Sequence, residues 1–355
     1  MKILFFVNAL KGSLSTKEIY KLSTVFPFKF IPISDGGDGF LETVFYIYPK
    51  AKKHFITAKN ALNKNNKTKY LLYKDTAFLE CAKITGLAEI KHKYRNVLKA
   101  SSFGIGTVFK SAVKAGAKTI YIGLGGVAFN DGGAGCLQAL GYKLLDEKDK
   151  PIPLGISGLL KLKKIVAPEN LKLPKIICLS DVENKLFGAL GSAKVYGPQK
   201  GANKKEIALI EKALKNFQKV IGKDLDKKFY GASGALPVAL CGILGAEIKK
   251  GSREILKTVQ AEKEIEKADL ILTCEGCLDK QTLFGKIPFE IYKLAKRHKK
   301  KTIIICGKNK LAKDIKNLGV IEISSLAKNE TDSIKNAKKY LIKIMGEIWG
   351  KSKNG

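Results

Sequence analysis

Six glycines fall among the thirteen residues 123–135, GLGGVAFNDGGAG, directly behind the apolar run Thr119 to Ile122. Three more apolar runs end in loops that mix glycine with carboxylate or amide: SDGGDG at 34–39, SDVENKLFG at 180–188 and CEGCLDKQTLFGK at 274–286. Glycine lets a backbone approach a ligand closely and offer its N–H groups to phosphate, carboxylates hold Mg²⁺, and lysine brings a mobile positive charge. These are the components of phosphoryl transfer, in which positioning and charge stabilisation carry most of the catalysis. The carboxylates concerned are Asp35, Asp38, Asp131, Asp181, Glu275 and Asp279. Lys11, Lys200 and Lys286 are the candidate cations, each within one residue of a glycine in one of the motif-bearing loops.

The elements that must carry these loops alternate. Apolar runs ILFFV (3–7), FIPIS (30–34), TIYI (119–122), KIICLS (175–180), ADLILT (268–273) and TIIIC (302–306) read as buried strands, with helical periodicity between them. Alternation of this kind predicts an α/β fold with a largely parallel sheet, whose ligands bind beyond the carboxyl ends of the strands. YLLYK and TAFLE, around 70–80, read as a hairpin or sheet edge. Ser15 with Glu18, and Asn203 with Glu206, form capping boxes that open helices. Helices are also expected over 42–48, 107–115 and 134–140, over the small apolar stretch 231–246, and over 332–348 with Ile334, Ala337, Leu341, Ile344 and Ile348 inward. A chain of 355 residues favours two domains. The expected arrangement is a discontinuous Rossmann-like or flavodoxin-like domain from 1–65 and 251–355, interrupted by a second, inserted α/β domain at 66–250.

Composition excludes several classes. The formal charge of +33 invites a nucleic-acid reading, but only three of the 65 cationic residues are arginine, at 95, 253 and 297. Base-reading proteins lean on bidentate Arg contacts, so no nucleic-acid partner is expected, and an anionic small substrate fits better. No apolar run approaches membrane-spanning length, and MKILFFVNALKGS turns polar too early for a signal peptide. The reading is a soluble cytoplasmic protein with no membrane partner and an oligomeric state left open. Seven cysteines, mostly in apolar segments, suit reduced thiols; Cys274 and Cys277 have C-x-x-C spacing but no second pair to complete a zinc site, and read as a strand-end loop.

There is no GxxxxGK[ST] motif and no protein-kinase signature. GLGGVA fits a dinucleotide fingerprint, with Asp146 near the distance of a ribose-binding acid, so an NAD(P)-binding enzyme is a rival reading. Against it, Asn130, Asp131, Gly132 and Gly133 crowd the expected helix start, where paired glycines cost roughly 1 kcal/mol each.

Taken together, VNALKGSLSTKE, SDGGDGF, ECAKITGL, RNVLKASSFGIG, GGVAFNDGGAG, SDVENKLFG, VYGPQKGA, GASGALP and CEGCLDKQTLFGK resemble, in order and spacing, the bacterial type I glycerate kinases over about residues 1–307. The resemblance implies ATP-dependent, Mg²⁺-assisted phosphorylation of D-glycerate, at the 2-hydroxyl to give 2-phosphoglycerate, on a two-domain α/β fold with the active site between the domains. By position the family's motifs fall on Lys11, Gly12 and Ser13; Asp35, Gly36, Gly37 and Gly39; Gly125 and Gly126; Asn130, Asp131, Gly132 and Gly133; Asp181 and Asn184; Gly197, Pro198, Gln199 and Lys200; and Glu275, Gly276, Asp279, Gln281, Thr282 and Lys286. Within that set Asp35 and Asp181 are the candidate Mg²⁺ ligands or bases, Lys11 and Lys200 the charge stabilisers, and the 125–133 loop a phosphate or substrate cradle. The chain departs from the family where Asn8 replaces Asp, Asp38 replaces Glu, Val127 replaces Ser, Phe129 replaces Thr, Cys274 replaces Gly, and Cys277 replaces Arg or Ser. These departures leave open a catalytically weakened or acceptor-changed relative.

Overall fold

In the computed structural model, which describes residues 1–279, 285–311 and 318–353, the strands run in chain order as follows. They are β1 (Ile3–Val7), β2 (Lys29–Pro32), β3 (Lys52–Lys59), β4 (Asn65–Tyr73), β5 (Thr76–Glu80), β6 (Thr119–Gly123), β7 (Lys143–Leu145), β8 (Lys164–Val166), β9 (Lys175–Leu179), β10 (Glu247–Lys249), β11 (Leu270–Leu278), β12 (Lys301–Asn309) and β13 (Leu318–Glu322). They divide between two units, residues 1–47 with 251–355, and residues 48–250.

The first unit carries a five-stranded parallel sheet in the order β13-β12-β11-β1-β2. Its core joins Phe5, Val7, Phe30, Leu272 and Ile305 from the strands to Leu341, Ile344 and Met345 of the closing helix Ala337–Lys353. Burial on both faces explains why its strands read as near-continuous apolar runs. From β1 the chain crosses to β2 on one side, whereas β11 is followed by β12 and β13 on the other. The direction of winding therefore reverses between β1 and β11, the place where open α/β sheets form a crevice at the carboxyl ends of their strands.

The second unit holds a six-stranded sheet in the order β10-β9-β6-β5-β4-β3, with β7 and β8 paired separately. Its last two strands turn antiparallel: β5 pairs with β4, and β4 with β3. This meander sets the first unit boundary at 47/48 rather than near 65, because Lys52–Lys59 pairs along its whole length with Asn65–Tyr73 and belongs to the same sheet.

The capping boxes form at both sites, Ser15 with Glu18 and Asn203 with Glu206. The Asn203 box opens an 18-residue amphipathic helix, Lys204–Ile221, that buries Ile210, Leu214 and Phe217. Three expectations need correction. The stretch 231–246 is not one helix: left-handed Ser233 (φ 49°) and Gly234 (φ 63°) break it, and only Pro237–Leu240 is α-helical. The closing helix is two, Glu330–Lys335 and Ala337–Lys353, divided at Asn336, and Ile334 lies on the exposed side at 47%. Cys274 and Cys277 lie within β11 rather than in a loop after it.

Candidate active-site loops

In the first unit, the loops after β1 and β2 and the end of β11 lie side by side because the three strands are neighbours. Asn8, one residue past β1, donates its side-chain N–H to Glu275 Oε2 at 3.1 Å across the β1–β11 boundary, where the winding reverses. Both side chains are buried. Burial pushes Glu275 up to about 7, with Lys11 and Lys286 pulling it down and Asp35 pushing it further up. Two lysines and two carboxylates thus share one electrostatic neighbourhood at the ends of parallel strands.

Glycine makes that convergence possible. Gly276 sits on β11 so close to Lys11 that a Cβ there would come within 2.7 Å of the Lys11 backbone nitrogen. Gly12 (φ 88°) begins the turn after Lys11, and nothing lies within 4 Å of where its side chain would be. Ser13 is engaged locally, its hydroxyl donating to the Leu10 carbonyl. Asp35 folds its loop back by accepting from the Gly37 N–H at 2.9 Å, while the Gly36 N–H donates to Ser34 Oγ. Gly36 and Gly39 are both left-handed. Lys286, which caps the helix Ile287–Arg297, pairs with Asp279 at 3.7 Å. Gln281 and Thr282 lie outside the described residues.

In the second unit, the loops after β6 and β9 lie at the carboxyl ends of adjacent parallel strands. Asp131 is fully buried, accepting from the N–H and Oγ–H of Ser102 and from the N–H groups of Gly133 and Gly135, at 2.8 to 3.2 Å. These donors stand at the N-terminal ends of two helices, Phe103–Lys114 and Ala134–Leu140, whose dipoles favour a negative charge. Burial still raises its pKa, with the Ser102, Gly133 and Gly135 bonds opposing. Left-handed Gly133 caps the second helix, and a Cβ there would come within 2.5 Å of Ala239 Cβ.

Lys200, 3% exposed, donates to the Phe129 carbonyl at 2.6 Å and to Asn130 Oδ1 at 3.0 Å. Burial lowers it to about 7, with Asp131 opposing. Asn130 Nδ2 is buried with no hydrogen-bond partner, an arrangement that asks for a ligand or a conformational explanation. Gly125 is half-buried, and Gly126, exposed, holds the loop through its carbonyl, which accepts from the Leu87 N–H. Asp181 is half-buried just beyond β9. Asn184 is occupied by local structure, donating to the Leu190 carbonyl and accepting from the Tyr196 hydroxyl. Gln199 is exposed and offers its backbone carbonyl to Arg95.

The proposed Mg²⁺ ligands Asp35 and Asp181 belong to different units. Among the described residues no three His, Cys, Asp or Glu side chains gather into a metal-binding group. The rival nicotinamide reading loses its acid: half-buried Asp146 is engaged in its own turn, where it accepts from the Lys148 and Lys150 N–H groups. Cys274 is buried and donates to the Asn8 carbonyl, with its thiol pushed up to about 12. Val127 and Phe129 are buried in the core with Ile122 and Leu124. Ser102, central to the Asp131 loop, was missed by sequence reasoning although ASSFG was visible; a Ser-Ser pair ahead of a helix reads only as a cap.

The glycerate kinase family model matches residues 3–351. A glycerate 2-kinase of Escherichia coli strain K12 is 34% identical over 324 residues, covering 86% of this chain and 85% of that protein. A glycerate kinase of Halalkalibacterium halodurans is 33% identical, covering 79% of this chain and 76% of that one. The crystal structure of a proposed glycerate kinase 2 from Salmonella typhimurium LT2 superposes with a TM-score of 0.75 at 30% identity, covering 99% of both chains. Parallel sheets with glycine-, lysine- and carboxylate-bearing loops at their strand ends define, with these likenesses, an α/β kinase. The chain belongs to the glycerate kinase family.

Proposed function

We propose that this chain phosphorylates D-glycerate at its 2-hydroxyl, with ATP as donor and Mg²⁺ as accompanying metal, giving 2-phosphoglycerate. The observation that carries the reading is the meeting of Lys11, Asp35, Glu275 and Lys286 where the winding of the first sheet reverses. Lys11 and Lys286 there offer positive charge to a transferring phosphoryl group. Mg²⁺ commonly takes one or two carboxylates and fills its shell with water and phosphate oxygens, so the absence of a three-carboxylate group among the described residues suits it. Asp35 fits such a ligand, half-buried with one oxygen engaged by the Gly37 N–H; Asp181 is the second candidate ligand or base. When bound, the metal supplies charge neutralisation on the phosphates.

The buried positions of Val127 and Phe129 bear on activity. Both side chains pack in the core, which supports reading the two departures as core substitutions in this chain. The test is ADP release from Mg-ATP over a panel of hydroxy acids, with the phosphorylated carbon located by NMR. The reading expects D-glycerate to be turned over to the 2-phosphate. A 3-phosphate product overturns the regiochemistry, and turnover confined to another hydroxy acid overturns the substrate.

A further inference from the structure

A groove of about 970 Å³ opens on the first unit between the helices Gly251–Thr258, Ala261–Glu266 and Ile287–Arg297. Its walls carry Arg253, Lys257, Lys263, Lys293, Lys296 and Arg297 against two carboxylates, Glu262 and Glu290, over a floor that includes Leu256 and Ala261. The arginines are informative because the chain has so few: two of its three lie here. In a chain that otherwise meets its need for positive charge with lysine, arginine adds a planar fork suited to phosphate and carboxylate.

The carboxylates leave much of this charge uncompensated. Glu290 takes Arg253 and Lys293, and Glu262 takes Arg297 and His298. None of Lys257, Lys263 and Lys296 has a carboxylate partner within ion-pair distance among the described residues, and Lys296 instead stands over the Tyr292 ring. Gln260, at the junction of two of the helices, lines the groove in the left-handed conformation (φ 51°), which a non-glycine residue adopts at a cost.

The groove also adjoins the kinase loops through its own helices. The helix bearing Arg253 and Lys257 starts at Gly251, which packs on the Asp35 carbonyl, and its Ser252 hydroxyl donates to the Gly285 carbonyl. The helix bearing Lys293, Lys296 and Arg297 is capped by Lys286. A ligand drawing these helices together therefore acts on the segments that place Asp35 and Lys286.

We propose that this groove is an effector site for a small phosphate-bearing polyanion. Calorimetric titration of the full chain with inorganic pyrophosphate in magnesium-free buffer tests it, on wild type, on the double variant Lys257→Gln/Arg297→Gln and on Lys11→Ala. The site predicts saturable binding that the double variant weakens by about tenfold or more and that Lys11→Ala leaves unchanged. Absence of saturable binding, or binding weakened by Lys11→Ala and untouched by the double substitution, overturns it. A second arm rests on the kinase reading: added pyrophosphate should change kcat/KM by about fivefold or more in wild type and not in the double variant. Equal responses in both proteins remove the effector role. Failure of the kinase reading leaves the binding arm intact, so the two failures are distinguishable.

Discussion

The two sets of loops treat charge in opposite ways. In the second unit, Asp131 and Lys200 are engaged internally: the carboxylate accepts four hydrogen bonds and the ammonium donates two, all within the unit's own backbone and side chains. In the first unit, the buried carboxylate Glu275 receives a side-chain bond from Asn8 while Lys11, Asp35 and Lys286 shape its charge state, and Gly12 opens onto empty space. A network that satisfies itself stabilises a loop, whereas charges gathered beside an open glycine turn leave room for a ligand. The Asn-Asp-Gly-Gly signature, the most conspicuous motif in the sequence, is thus tied into its unit's own hydrogen-bond network, with the buried Asn130 Nδ2 left without a partner.

The largest expected effects invert this contrast if it is wrong. Asp131→Ala strands the Ser102, Gly133 and Gly135 donors in the core and should lower stability by about 3–5 kcal/mol, read from urea unfolding. Lys11→Ala should lower kcat about 100- to 1000-fold, in the range of a lost transition-state donor, with stability within about 0.5 kcal/mol of wild type. Loss of stability in the Lys11 variant together with an unperturbed Asp131 variant would exchange the roles of the two loops.

Next in size are the pH effects, which should run in opposite directions. Glu275 is raised in the folded state from 4.5 to about 7, so its contribution is fully present below 4.5 and is lost as pH rises through 7. Glu275→Gln should therefore gain on wild type between pH 5 and 8, by about 2–3 kcal/mol. Lys200 is lowered from 10.5 to about 7, so its contribution is present above 10.5 and is lost as pH falls through 7. Wild type should therefore gain on Lys200→Met as pH rises from 6 to 10. Chemical denaturation across pH checks both; parallel slopes for the two variants would remove the proposed difference in environment.

The smallest effect concerns the family departures. Val127→Ser puts a hydroxyl into a packed core and should cost about 1–3 kcal/mol without raising kcat/KM for glycerate. A rise in kcat/KM would show that the position reaches the acceptor after all.

Much of the fold was legible because its signals are local. Buried parallel strands leave apolar runs, and Asn203 with Glu206 reads as a helix start because its capping bonds span three residues. The misreadings also have causes. Composition marks 231–246 as helical, but it cannot show that Ser233 and Gly234 must turn left-handed, where Gly234 packs on the Phe129 carbonyl. The boundary near 65 missed that β3 needs β4 as its partner, because strand pairing is a property of two segments.

The site divides along the same line. The sequence alone supplied the candidate loops of glycine, lysine and carboxylate, their order along the chain, and through nine spaced motifs the family to which the chain belongs. Only the tertiary structure decided which of them are neighbours and what charge they hold. Asn8 and Glu275 are 267 residues apart, joined because β1 and β11 pair, and no local pattern encodes that contact. Nor can spacing reveal that Asp131 is wrapped by four donors or that Lys200 is desolvated to a pKa of about 7. Burial sets the cost of a charge, and burial exists only once distant segments have packed.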